Sequence, residues 1–418
     1  MPTGGNMKIA LMGPFGFGNL GDAASQQAMI EAIRWRIPGV QIVGISQNPE
    51  DTEARHGIQS YPISRLAREG GLTENDAFVL VRHRSIGARL RTVIARALLE
   101  FRVVARSIKN LKGCDWLIVS GGGQLDESYG GPFGHPYALL KWAVIARWVR
   151  ARFAVVSVGA GPLNSRLGIF FVKRMLRLSE YTSFRDGDSR DLMASLGHAK
   201  RDPVFPDLAH SLTLSRDGTK GETITVGRIV GLGVIDYADP RSWPVPDGER
   251  YQAYLTKLAE VVQWILARGY SVKLLRSMTG ADLSVAQDLV DRVKARISGF
   301  DEKRITVQSG ETVDELMETM AGTGIVIASR FHGVLLAHVL ERPVIALSYH
   351  RKVTTLMKDM GHADYCLDIK NFTVADLIEK FKALEQHRGA LVDQIRAKEH
   401  EYRQALEQQY DLLFGQRG

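Results

Sequence analysis

Gly324-Ile325-Val326-Ile327-Ala328-Ser329-Arg330-Phe331-His332-Gly333-Val334-Leu335-Leu336-Ala337-His338-Val339-Leu340 is the stretch on which the fold turns. The apolar run up to Ala328 reads as a strand buried on both faces, and the run from Val334 as a helix. Ser329 to Gly333 then form a strand-to-helix junction, which in an open α/β sheet faces the ligand crevice. Free N–H groups at the helix start attract anions, Arg330 forks onto a carboxylate or phosphate, and His332 moves a proton near neutral pH. The expectation is an anionic substrate that undergoes proton transfer. A solvated arginine beside a hydrogen-bonded histidine is the bland alternative, and it stays open at this point.

Working outward, short apolar runs alternate with amphipathic stretches, the pattern of parallel sheets covered by helices. Strands are predicted at residues 8–12, 40–45, 115–119, 153–158 and 181–184, with helices near 23–36, 86–109, 136–150 and 167–179. A polar, glycine-containing segment at 214–222 suits a linker. A second set follows: strands at 228–235, 271–275, 305–308, 325–328 and 344–347, and helices at 251–268, 284–297, 313–321 and 334–340. The fold class is therefore α/β, two doubly wound Rossmann-like domains facing a cleft. They are assigned to residues 1–213 (acceptor side) and 223–385 (donor side). Residues 386–418 form a closing helical segment, and the stretch 374–413 is expected to be two helices interrupted near Gly389.

A chain of 418 residues, 45% apolar and 24% charged, has ample material for two cores. Cys114 and Cys366 alone cannot build a disulfide framework or a thiolate zinc site, and they suit a reducing cytoplasm. The start runs straight into a strand without the pattern of a signal peptide, and no apolar run reaches the roughly 18 residues of a membrane span. The net charge of +8 concentrates at Arg82, Arg84, Arg89, Arg91, Arg96, Arg102, Arg106, Lys109 and Lys112, against Glu100 alone. Apolar residues at helical spacing run through this region, so a basic amphipathic helix is expected. It either contacts an anionic membrane peripherally, at the inner face, or leaves its arginines in water. No nucleic-acid-binding signature accompanies it.

Glycine-rich junctions follow several strands. In Gly13-Pro14-Phe15-Gly16-Phe17-Gly18-Asn19-Leu20-Gly21-Asp22, the letters satisfy a dinucleotide fingerprint. Pro14, Phe15 and Phe17 crowd the turn, however, and no acid closes the next strand, so a glycine turn with Asp22 as helix cap is the competing reading. Gly121, Gly122 and Gly123 after Ser120 form a candidate anion-binding nest. The following loop offers Asp126 and His135 for sugar hydroxyls. Arg185, in Phe184-Arg185-Asp186, is either a second anion clamp or one half of an ordinary surface ion pair with Asp186 or Asp188.

Together Gly18-Asn19-Leu20-Gly21-Asp22, Ser120-Gly121-Gly122-Gly123, Phe184-Arg185-Asp186, and Ser329 to Gly333 followed by Pro343-Val344-Ile345-Ala346-Leu347-Ser348-Tyr349 resemble the polysaccharide pyruvyl transferase family, in order and spacing over residues 8–355. The colanic-acid type is the most similar. The resemblance implies a GT-B-like fold, phosphoenolpyruvate as donor, and a hexose of a bacterial exopolysaccharide or its lipid-linked repeat unit as acceptor. It also implies donor contacts by Arg330, His332 and Arg185. Combined with the chemistry above, His332 is the expected acid. Arg330, Arg185, Ser329, Gly333, Lys352 and the nest at Gly121, Gly122 and Gly123 are the expected donor site. Asn19, Asp126 and His135 are expected on the acceptor side, with Asp22 or His135 as base. No metal or cofactor is called for beyond the co-substrate. Two other readings stay open: a glycosyltransferase using a nucleotide sugar, and a non-catalytic subunit tethering a glycan assembly to the membrane.

Overall fold

The computed structural model describes residues 7–16, 18–64, 100–128, 130–214, 228–278, 280–297 and 301–415. The chain divides into two compact units. The first comprises Met1–Phe17, Ser25–Ser211 and Ala405–Gly418, and the second Gly18–Ala24 and Leu212–Gln404.

In the first unit β1 (Lys8–Met12), β2 (Gln41–Ser46), β3 (Ser60–Pro62), β4 (Trp116–Ser120), β5 (Arg152–Val158) and β6 (Tyr181–Phe184) form one sheet in the order β3-β2-β1-β4-β5-β6. All its pairings are parallel. Helices α1 (Leu20–Arg36), α2 (Pro49–His56), α3 (residues 100–111), α4 (His135–Trp148), α5 (Arg166–Leu178) and α6 (Gly187–Ser195) accompany these strands along the chain. Every residue of β4 is buried, which is why it reads as a continuous apolar run. The strand order reverses between β1 and β4, so this unit's crevice opens at the loops after those two strands.

The second unit repeats the plan with β7 (Ile229–Gly233), β8 (Ser271–Leu275), β9 (Ile305–Val307), β10 (Ile325–Ala328), β11 (Val344–Ser348) and β12 (Cys366–Asp368), in the order β12-β11-β10-β7-β8-β9. Helices α7 (Gly248–Ala267), α8 (Ala281–Arg296), α9 (Val313–Ala321), α10 (Phe331–Val339), α11 (Arg351–Asp359), α12 (Val374–Gln386) and α13 (Arg388–Phe414) accompany it. Here the order reverses between β7 and β10. The junction of Ser329 to Gly333 therefore lies at the position where a doubly wound sheet binds its ligand.

Helices α2, α6 and α11 and the short strands β3 and β12 were not expected. Helix α2 buries only Thr52 and owes its start to the Asn48 side chain, which accepts from the Asp51 N–H, so it carries almost no apolar period. At the C-terminus the two expected helices are present, with the break at His387. Residues 386–418 do not form a segment apart, because α13 is shared between the units. In the first unit its Gln409 is fully buried, and Ser183 Oγ–H donates to its Oε1 at 2.6 Å. Arg36 of α1 pairs there with Glu407. The expected linker from residue 215 to 222 and most of the basic helix, up to residue 99, lie outside the described residues. The part of α3 that is described packs Val104, Ile108 and Leu111 on the core and leaves Arg102, Arg106 and Lys109 in solvent.

Candidate active site

The strand-to-helix junction after β10 turns helical three residues earlier than expected, at Phe331 rather than Val334. Arg330 is the N-cap of α10, and Phe331, His332 and Gly333 form its first turn. Arg330 does not stand in solvent. Its Nε and Nη2 donate to Asp282 Oδ1 at 3.0 and 2.6 Å, and Nη2 also donates to Asp236 Oδ1 at 3.0 Å. Asp282, fully buried in the first turn of α8, is held in turn by the N–H groups of Ser277 (3.0 Å) and Met278 (2.7 Å). Asp236 follows β7 and accepts from Ser242 Oγ at 2.6 Å. Burial alone would pull the Arg330 guanidinium down, but the two carboxylates outweigh it and hold the group protonated. Asp236 and Asp282 were not foreseen, since they stand 94 and 48 residues from Arg330 in the chain. An acid in a helix's first turn was the only local signal for Asp282.

The segment Asn19–Asp22 packs with this second unit. Leu20 N–H donates to Ser277 O at 2.9 Å, and Asn19 bridges to Met278. Asp22 is not the helix cap: Asn19 Oδ1 accepts the Gly21 N–H at 3.0 Å, and Asn19 Nδ2 donates to Asp22 Oδ2 at 2.8 Å. Gly21 has a packing reason. A Cβ there would lie 2.1 Å from Nδ1 of the His332 ring, so only hydrogen fits beneath the imidazole. Gly21→Ala is expected to push that ring from its seat and to lower stability by about 1–3 kcal/mol, as overpacking does. Urea unfolding of the variant checks this, and a wild-type midpoint would show the contact to be slack.

Tyr349, after β11, gathers these groups. Burial raises its phenol, Arg330 pulls it back, and the charges of Asp236, Asp282 and Asp22 add to the rise. Ser329 is fully buried, and its Oγ has no hydrogen-bond partner among the described residues. Gly333 lies 3.4 Å, measured from a built Cβ, from Ala328 Cβ, and so serves the fit of α10 on β10. Lys352 sits in the first turn of α11, with Nζ 6.0 Å above the Phe331 ring. Beside Tyr349 opens a cavity of about 380 Å³, lined among others by Ser348, His350, Arg351, Thr354 and Lys370.

The remaining candidates belong to the first unit. Arg185 follows β6 and is nearly buried, which corrects the surface-pair reading. Its Nη1 donates to Asp207 Oδ2 at 3.3 Å, and Nε contacts Asp186 Oδ2 at 3.5 Å. Asp207 also accepts from Ser25 Oγ at 2.8 Å. Gly121 and Gly122 have φ of +58° and +70°, as a tight turn after β4 requires, but the Gly121 N–H already donates to Val156 O at 2.9 Å. Three free amides are thus not on offer, and the nest is narrower than expected. Asp126 Oδ1 accepts the Ser128 N–H at 2.6 Å.

His135 is the clearest correction. It is 2% exposed at the start of α4, out of reach of a sugar hydroxyl, and burial lowers its imidazole to about 4. Its folded value lies below the unfolded 6.5, so stability is intact above pH 6.5 and is lost as pH falls through 4. The loss from this residue is expected to reach roughly 3 kcal/mol. His135→Gln should flatten the acid limb of a urea-midpoint profile; an unchanged limb would assign it to other groups.

Among the described residues no three His, Cys, Asp or Glu side chains are arranged to hold a metal ion. No helix there is long and apolar enough to cross a membrane.

Two doubly wound parallel sheets, with charged residues at the strand ends, define an α/β protein of GT-B-like fold. Solved structures share that fold. A putative UDP-N-acetylglucosamine 2-epimerase from Listeria monocytogenes is 11% identical, with TM-score 0.58 over 94% of this chain and 91% of its own. The S. aureus MnaA-UDP structure is 10% identical, with TM-score 0.55 over 93% and 90%. The Neisseria meningitidis UDP-GlcNAc 2-epimerase bound to UDP-GlcNAc is 11% identical, with TM-score 0.53 over 93% and 94%. At such identity these show the fold alone. The chain itself belongs to the polysaccharide pyruvyl transferase family, whose model matches residues 19–351. It is also 25% identical over 162 residues to the amylovoran biosynthesis protein AmsJ of Erwinia amylovora, a match that covers 36% of this chain and 38% of AmsJ.

Proposed function

We propose that this protein transfers the pyruvate group of phosphoenolpyruvate to a hexose of an exopolysaccharide, or of its lipid-linked repeat unit, and closes a cyclic ketal. The observation that carries the reading is the seating of His332 on Gly21, which puts an imidazole, the Asp22 carboxylate and the Arg330 cluster into one neighbourhood of the second unit. The cavity beside Tyr349 has the volume of a small-ligand site, and family membership supplies the reaction class.

In this mechanism the donor's carboxylate and phosphate are met by Arg330 and Lys352, with Asp282 fixing the guanidinium plane. His332 protonates the methylene carbon, which creates an oxocarbenium-like centre at the neighbouring carbon. A sugar hydroxyl adds there and loses its proton to Asp22. The carbon–oxygen bond to phosphate then breaks, and a second hydroxyl adds in its place with loss of its own proton. Two protons leave the hydroxyls; one is balanced by the proton taken up at carbon and the other departs with the phosphate as hydrogen phosphate, so the step involves no change of oxidation state. Asn19, in the same unit as Asp22, is proposed to orient the acceptor.

The test is incubation of the purified protein with phosphoenolpyruvate and an oligosaccharide pool. Phosphate release should accompany a pyruvate ketal adduct in the mass spectrum. Turnover of a nucleotide sugar, with no adduct from phosphoenolpyruvate, would overturn the reading.

A further inference from the structure

We propose that the α4–α5 face of the first unit docks on an anionic lipid surface. Helix α5 buries Gly168, Val172, Met175 and Leu176 and turns Arg166, Leu167, Phe170, Arg174 and Arg177 to solvent, a spacing of three and four residues that defines one face. Helix α4 does the same with Val144, Arg147 and Trp148. Single exposed apolar residues are ordinary, but a contiguous set is not. Phe170 stacks on Phe171 at 5.9 Å, Phe171 on Tyr137 at 5.7 Å and on Phe133 at 5.9 Å, so the aromatic surface runs unbroken from the loop before α4 onto α5. Phe133 is 57% exposed and Phe170 49%, and the Arg174 guanidinium lies 5.6 Å over the Phe170 ring.

Charge selects the partner. Helix α4 carries Lys141 and Arg147, and α5 carries Arg166, Lys173, Arg174 and Arg177; neither contains an acid. The nearby carboxylates are engaged: Glu100 by Lys141 and Tyr137, and Glu127 by the N–H and hydroxyl of Ser165. Aromatic rings flanked by arginines that have no ion pair among the described residues match an interface of acyl chains and anionic head groups. A second copy of this face would set arginine against arginine. The proposal is independent of the ketal chemistry.

The experiment is co-sedimentation of the full chain with vesicles of phosphatidylcholine alone, or with about one third phosphatidylglycerol. Wild type should bind only the anionic vesicles and release with salt. Arg166→Gln and Arg174→Gln should each weaken binding about fivefold, and Phe170→Ser with Leu167→Ser about tenfold. Far-UV circular dichroism and urea midpoints confirm that these exposed-site variants fold. Equal binding by variants and wild type, binding to neutral vesicles as well, or no binding at all would overturn the proposal. So would a dimer in sedimentation velocity that dissociates in Phe170→Ser.

Discussion

Asp282→Ala is expected to destabilise the second unit by about 3–5 kcal/mol, because it leaves the Arg330 guanidinium buried with half of its partners gone. The side chain is 0% exposed, it accepts from Arg330 through both oxygens, and it satisfies two further backbone N–H groups that alanine would orphan. Asp236 cannot compensate, since its carboxylate reaches only one guanidinium nitrogen and is already tied to Ser242. Asp282→Asn keeps the shape and most acceptors but removes the charge, so its cost should fall between wild type and alanine. The double variant Asp282→Leu with Arg330→Met should recover much of the alanine loss, as buried pairs exchanged for apolar side chains commonly do. Urea unfolding followed by tryptophan fluorescence measures all three. A change below about 1 kcal/mol for Asp282→Ala would mean that the pair is solvated rather than buried.

His332→Gln is expected to cut turnover with phosphoenolpyruvate about 10²- to 10⁴-fold, the usual contribution of a positioned general acid. Donor KM should change little, because the anion is held by other groups. Glutamine fills most of the space over Gly21 and keeps a polar end, so the urea midpoint should stay near that of wild type. This separates loss of chemistry from loss of fold, which Gly21→Ala alone cannot do. Full activity in His332→Gln would remove the imidazole from the reaction and shift attention to the carboxylates of Asp22 and Asp236.

The alternation of strands and helices was legible because parallel strands covered on both faces are continuous apolar runs, and the longer helices bury one stripe. The unforeseen elements are those without that signature, such as α2 with its single buried residue. Helix α11 is the exception, since Val353, Leu356 and Met357 are buried at helical spacing and were readable. The junction at Arg330 and His332 was found by residue type and position alone. Its wiring was not: nothing near Arg330 in the chain announces Asp236 or Asp282.

Residue patterning set the α/β class, the two successive sheets, and the charged strand end on which the chemistry is proposed, because burial period and junction chemistry are local properties. Folding decided which charges neutralise which, that His135 is sealed in the core, that Asn19–Asp22 packs beside His332, and that one amide of the glycine turn is already bonded. Those outcomes depend on pairings between residues far apart in the chain, where distance and burial replace sequence spacing as the controlling variables.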